Sequence, residues 1–300
     1  MNMTTHPGAA DLHPSGPADW RRAARVLRFR GHDIAWHDSG GDGPPVLLIH
    51  GFPTASWDWH RVWPALARKH RLVAPDLIGF GHSAKPAEFP YSIRAQADLC
   101  EDLLDAAGVS RFSILAHDYG VTVAQELLAR CLDADGCQGM RSVLFLNGGL
   151  FPEVYRPRLV QRLLAGPFGD LFVPLLGRRL GGRSIAAVFS PTRQPSTAEL
   201  DDLWSLIEHG GGRRLIPRLL RYMDERRANR KRWVGALERA PVPIMLVNGE
   251  ADPVSGSHVA DRWEALLPGR PVVRLPDTGH WPQLENPEAV IGQALSFLAG

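Results

Sequence analysis

Three hundred residues suit one large domain, or a core domain carrying a smaller inserted one. With 44% hydrophobic and 8% aromatic residues the chain fits a globular protein with a sizeable core, and a formal net charge of +2 is too small to argue for nucleic acid. The nearest approach to a membrane span, "LFVPLLGRRLGG", is interrupted by Pro174, Gly177 and two arginines, so no stable membrane insertion is expected.

Residues 1–20 are rich in Pro, Gly and small polar residues and read as a flexible arm. They lack the basic and apolar regions of a secretory signal, and His6 and His13 read as stray tail histidines. The cysteines Cys100, Cys131 and Cys137 are sparse, odd in number and without metal-ligand spacing, which suits a reduced cytoplasm.

"VLRFRGHDIAWHDSG" reads as two strands joined by a tight turn at Gly31. After the turn cluster "GGDGPP" comes "VLLIHG", a continuous apolar strand of the kind buried on both faces. "DWHRVWPALARKH" has helical character, "RLVAPDL" reads as a strand, and "SIRAQADLCEDLLDAAG" as an amphipathic helix ending at Gly108. The "FSILAH" strand, the helix "YGVTVAQELLAR" and the strand "RSVLFLNGG" follow. The rhythm returns with the strand "PVPIMLVNG", a helix around Val259 to Leu267, the strand "PVVRLP" and a last helix from Pro287. Alternating strands and helices imply an α/β fold with a mainly parallel sheet and helices on both faces. Between about residues 150 and 233 no buried strand is visible; the stretch reads as short helices, a cap over the carboxyl ends of the strands. The core then comprises residues 21–149 and 234–300. "DADG", from Asp133 to Gly136, reads as a helix-to-strand turn, since the terminal Glu of a calcium loop is absent. The basic run "RRLIPRLLRYMDERRANRKRW" reads as a solvated face of cap helices, offset by Asp224 and Glu225.

"LAHDYGVTVAQ" places Asp118 at a strand-to-helix junction, with Ala116 and Gly120 two residues to either side. Small residues there permit a tight turn that projects the central side chain, although Asp is also a favoured N-cap. Two further candidates follow strands: Asp252 in "VNGEADPVS" and His280 in "PDTGHWPQLENP", with Asp277 a possible rival partner for the histidine. The loop "HGFP" after the first apolar strand would bring the Phe52 N–H to a reacting carbonyl alongside the Tyr119 N–H, as an oxyanion hole.

The motifs "HGFPTASWDWHRVWPAL", "DLIGFGHSAKP", "HDYGVTVAQELL", "LNGGLFPE", "RKRWVGAL" and "HWPQLE" carry a resemblance. Residues 46 to 299 resemble an α/β-hydrolase of the Asp-nucleophile branch, which contains epoxide hydrolases and haloalkane dehalogenases. Within it the chain is most similar to the mesoderm-specific transcript family and its bacterial relatives. The resemblance implies an α/β-hydrolase fold with an inserted helical cap, Asp118 as nucleophile, and Asp252 and His280 as its charge-relay partners. A carboxylate nucleophile displaces at saturated carbon and leaves an alkyl ester, which water attacks once a base removes its proton.

Epoxide opening needs a proton donor. Tyr222, 30 residues before Asp252, is placed like a cap tyrosine of epoxide hydrolases, and Tyr155 is the candidate second donor. Halide departure instead needs N–H donors, which Phe52 and Tyr119 do not supply from their side chains; Trp204 and Trp281 are the remaining candidates. His50, Trp204 and Trp281 are expected around the substrate, with His117 as a supporting or packing residue. Epoxide hydrolysis is therefore the favoured expectation, haloalkane dehalogenation the alternative, and a non-catalytic binding protein on the same scaffold the third reading. With no dinucleotide fingerprint and no metal cluster in the sequence, no cofactor is expected, only a small hydrophobic substrate and water. The oligomeric state is not readable.

Overall fold

A computed structural model of the chain describes residues 14–134 and 139–299. His6, His13, Cys137 and the second half of the "DADG" turn, residues 135 and 136, lie outside the described residues. Eight strands, β1 (Arg25–Phe29), β2 (His32–Asp38), β3 (Pro45–Ile49), β4 (Arg71–Pro75), β5 (Phe112–Ala116), β6 (Met140–Phe145), β7 (Ile244–Gly249) and β8 (Val272–Leu275), form one sheet in the order β1-β2-β4-β3-β5-β6-β7-β8. β1 and β2 form an antiparallel hairpin whose turn residues Arg30 and Gly31 both have positive φ, and β2 runs antiparallel to β4. All other pairings are parallel. The central strands are apolar throughout because both sheet faces are covered: Leu47, Leu48, Ile49, Ile114 and Leu115 are fully buried.

The helices are α1 (Pro17–Ala23), α2 (Trp63–Ala67), α3 (Ile93–Ala106), α4 (Tyr119–Asp133), α5 (Leu159–Ala165), α6 (Gly169–Phe172), α7 (Arg178–Ala186), α8 (Thr197–Glu208), α9 (Ile216–Leu219), α10 (Tyr222–Ala228), α11 (Arg230–Glu238), α12 (Ser257–Leu266), α13 (Pro282–Glu285) and α14 (Pro287–Leu298). α3 is opened by the Ser92 hydroxyl, which accepts from the Ala95 N–H at 3.2 Å. α3, α4 and α11 pack as one layer, while α2 packs against α14. No helix among the described residues is long and apolar enough to cross a membrane.

Three details differ from the sequence expectations. Residues 17–20, expected in the arm, begin α1, because Trp20 is wholly buried, stacks on His37 and donates its indole N–H to Ser56 Oγ at 2.9 Å. The expected cap limit at residue 233 falls inside α11, whose Trp233 indole N–H and Arg232 guanidinium both bond the Glu126 carboxylate of α4, at 2.7 and 2.8 Å. Cys131 is disulfide-bonded, unlike Cys100, which is a buried free thiol; the set is not uniformly reduced.

The segment between β6 and β7 holds helices α5 to α11 and no strand. The chain passes from β3 outward to β4 and then returns across β3 to β5, so the strand order reverses between β3 and β5. A crevice at the carboxyl ends of the strands opens at such a reversal.

Candidate active site

Each of the three expected reactive side chains follows the carboxyl end of a strand. Asp118 follows β5 and stands at the N-cap position of α4, but its side chain makes no capping bond to that helix. Its φ of 43° and ψ of −103° are strained for a residue with a Cβ. Gly120 permits this turn, because a Cβ there would lie 2.3 Å from the Ile49 carbonyl oxygen. The Asp118 side chain therefore does not cap α4.

The two Asp118 carboxylate oxygens have different surroundings. Oδ2 accepts the Phe52 N–H at 3.0 Å, and Oδ1 faces His280 Nε2 at 3.8 Å. Tyr119, the first residue of α4, carries one of the N–H groups that have no partner inside the helix. Beyond the imidazole, His280 Nδ1 bonds Asp252 Oδ2 at 2.7 Å. Asp252, not Asp277, is thus the partner of His280. Asp252 is held by the Val254 N–H (2.7 Å), the Ser255 hydroxyl (2.6 Å) and the Asn147 amide (3.1 Å). Asn147 follows β6 and also clasps Gly249 at the end of β7, donating to its carbonyl and accepting its N–H.

Burial raises the Asp118 carboxyl, but the neighbouring His280 imidazolium, with the charge of Arg226, outweighs it and holds the group at about 2. Burial pulls His280 down, but the charge of Asp252, the hydrogen bond to it and the nearby Asp118 carboxylate push it up to about 10. At neutral pH the resting site is a carboxylate–imidazolium–carboxylate array. His117 is driven the other way, to about 3, chiefly by burial and then by the His280 charge, so it stays neutral; its Nε2–H donates to the His280 carbonyl at 2.7 Å.

His50 is not among the residues lining the cavity at Asp118. Its Nε2 accepts the Leu77 N–H at 3.0 Å, and its Nδ1–H donates to the Gly51 carbonyl at 2.8 Å. Expected at the substrate, it instead ties the loops after β3 and β4 together beneath the site. Trp204 and Trp281 do line the cavity, with Phe52, Asp118 and His280. The space, counting its open mouth, is about 680 Å³. Its far wall is apolar, from Val160, Leu164, Leu176, Ile185, Ile207 and Leu220, with Arg158, Gln161 and Ser184 as polar exceptions. The Trp281 indole N–H points to the buried Asp58 carboxylate at 3.4 Å.

Tyr155 and Tyr222 meet each other, hydroxyl to hydroxyl, at 3.4 Å. They are not on the cavity wall; Tyr222 lies behind it, its ring 6.3 Å from that of Phe52 and 4.9 Å from that of Tyr119. Burial, and next the charge of Asp118, pushes Tyr155 up to about 12 and raises Tyr222 well above the usual phenol range, so both phenols keep their protons.

Arg226 was not singled out by the sequence, where it sits within the run read as a solvated face. It is 2% exposed, and that reading fails here. Its guanidinium carbon lies 4.3 Å from the Tyr222 ring centre and 5.2 Å from that of Tyr155. Nε–H donates to the Thr122 hydroxyl at 2.6 Å and Nη2–H to the Asp118 carbonyl at 3.1 Å. The available signal was its position four residues after Tyr222, on the same face of α10. Glu285 was missed as well: its carboxylate collects the N–H groups of Gly279 (2.7 Å), Trp281 (3.0 Å) and Ser190 (2.8 Å), pinning the histidine loop to the helical segment.

Residues 44–287 match the family model described as alpha/beta hydrolase fold. The chain is 38% identical to the mesoderm-specific transcript protein of Mus musculus over 97% of its own length and 92% of that protein. It is 35% identical to LipZ of Mycobacterium tuberculosis, which is named as a hydrolase, over 93% and 97% of the two chains. Among solved structures it superimposes on the epoxide hydrolase CorEH with a TM-score of 0.74 at 20% identity, over 92% of this chain and 98% of that one. A haloalkane dehalogenase loop variant from Bradyrhizobium elkanii gives 0.77 at 24%, over 92% and 96%. At these identities the structural likeness is one of fold, shared by both chemistries.

Proposed function

The chain belongs to the alpha/beta hydrolase fold family, and from that premise we propose that it hydrolyses epoxides to vicinal diols through an ester on Asp118. The observation that carries the reading is the division of labour at Asp118: one oxygen is held by a backbone N–H and the other is left facing His280.

In the first half of the cycle Asp118 Oδ1 attacks an epoxide carbon, the C–O bond breaks, and the departing oxygen takes a proton from the Tyr155–Tyr222 pair, whose hydroxyls sit behind the cavity wall at rest and must swing toward the substrate to deliver it. Asp118 is now a neutral ester. His280 has lost one of the two carboxylates that kept it protonated, while the burial that opposes its charge remains. It gives up its proton, which restores the phenol, and becomes a base. In the second half neutral His280 takes a proton from water, and the hydroxide adds to the ester carbonyl carbon. The resulting oxyanion at Oδ2 is met by the N–H groups of Phe52 and Tyr119. Collapse expels the diol oxygen, which takes the proton from His280; the regenerated Asp118 carboxyl returns its own proton to the imidazole. Both residues finish as they began.

Dehalogenation has less support. Neither Phe52 nor Tyr119 offers a side-chain N–H to a halide, and the Trp281 indole is directed to Asp58. A single turnover in ¹⁸O-water, with enzyme in excess over styrene oxide, tests the reading. The ester route leaves the first diol unlabelled, because its new oxygen comes from Asp118; direct attack by water labels it at once.

A further inference from the structure

Seven large apolar side chains between Leu159 and Leu180, among them Leu163, Phe168, Leu171 and Leu175, are 40–72% exposed; among the described residues only Val26 otherwise joins them. They are carried by α5, α6, the 3₁₀ turn at Val173–Leu175 that continues α6, and the start of α7. A patch of this kind on an otherwise well-covered surface marks a docking site.

Its charge says what docks there. Residues 154–187 hold six arginines and one acidic residue, Asp170. Arg178 pairs with Asp201, but Arg156, Arg162, Arg179 and Arg183 are exposed and have no carboxylate within ion-pair distance among the described residues. An apolar face set among unpaired arginines complements a leaflet with anionic headgroups, whose acyl region takes the leucines and phenylalanines while the phosphates take the guanidinium groups. A second copy of the chain is a poorer fit, since a two-fold contact through this patch would set one cluster of arginines against another.

The inner faces of the same helices, through Val160, Leu164, Leu176 and Ile185, form the apolar wall of the cavity at Asp118. One thin layer separates the exposed patch from the site. We propose that the surface formed by α5 to α7 docks reversibly on anionic lipid membranes, so that lipophilic substrate enters the cavity from the leaflet. The docking itself does not depend on which bond the site cleaves.

The test is co-sedimentation of the full chain with vesicles of phosphatidylcholine alone and of phosphatidylcholine mixed with phosphatidylglycerol. Partitioning is expected to be about tenfold stronger on the mixed vesicles and to weaken in high salt. The exposed triple variant L171S/F172S/L175S is expected to lose about tenfold, and R162Q/R179Q/R183Q to fall to the level seen on neutral vesicles. Thermal melts establish that the variants are folded, as expected for exposed positions. Equal binding to both vesicle types, or unchanged binding by both variants, overturns the proposal. So does sedimentation showing a wild-type dimer that L171S/F172S/L175S dissociates, without vesicle binding; that result assigns the patch to a second copy.

Discussion

His280 Nε2 stands 3.8 Å from Asp118 Oδ1, beyond direct hydrogen-bond length but well within the reach of charge. The imidazolium favours the carboxylate that must act as nucleophile. Consuming that carboxylate in turn removes part of what holds the imidazolium charged. One contact thus prepares both halves of the proposed cycle.

The two carboxylates that flank His280, Asp252 foremost, give stability a pH signature. His280 is raised from 6.5 to about 10 in the fold, so its contribution is fully present below pH 6.5 and is lost as pH rises through about 10. The difference in melting temperature between wild type and His280→Gln is therefore expected to shrink steadily over that window. A difference that stays flat from neutrality to pH 10 would show that His280 is not held charged by its carboxylates.

Tyr155→Phe and Tyr222→Phe should separate the two leaving groups. Loss of a positioned proton donor costs on the order of a hundred- to ten-thousand-fold, so the double variant is expected to lose about that much in the rate of ester formation from an epoxide. Ester formation from a bromoalkane needs no proton and should change little. Rapid-quench measurement of ester formation reads both rates, and equal losses would remove the tyrosines from the proton path.

Arg226→Met should cost about 1–3 kcal/mol in denaturant unfolding, because the buried Thr122 hydroxyl and the Asp118 carbonyl each lose a charged hydrogen-bond donor. Arg226→Lys is expected to recover little. The guanidinium bonds Thr122 and the Asp118 carbonyl in two fixed directions while lying against two rings, and an ammonium cannot reproduce that geometry.

Gly120→Ala places a Cβ 2.3 Å from the Ile49 carbonyl oxygen and 2.8 Å from that of His50. Both are backbone atoms, so no rotamer change relieves the clash, and a loss at or above the ~1–3 kcal/mol usual for overpacking is expected. An alanine variant as stable as wild type would show that the elbow is looser than its geometry implies.

Much of this was legible in the chain because the relevant signals are local. Apolar runs such as "VLLIH" and "FSILAH" announce strands buried on both faces, and residues that follow strands in an α/β sheet gather at one rim. Asp118, Asp252 and His280 could be picked out for that reason. Arg226 could not: within "MDERRANRKR" nothing in composition distinguishes the arginine that faces α4 from those that face solvent or pair with Glu153 and Glu126. His50 misled because it adjoins the loop that carries Phe52, and only the fold reveals that both its nitrogens are taken by backbone. Trp20 was lost in a segment whose Pro and Gly content masked one deeply buried aromatic.

The central claim is that Asp118 forms an ester which His280 must release. The measurement closest to it is the intact mass of His280→Ala after incubation with an aryl epoxide, beside the variant that also carries Asp118→Ala. The single variant is expected to gain the whole mass of the epoxide and to hold it, and the double variant to gain nothing. No adduct on the single variant, or an equal adduct on both, would contradict the account.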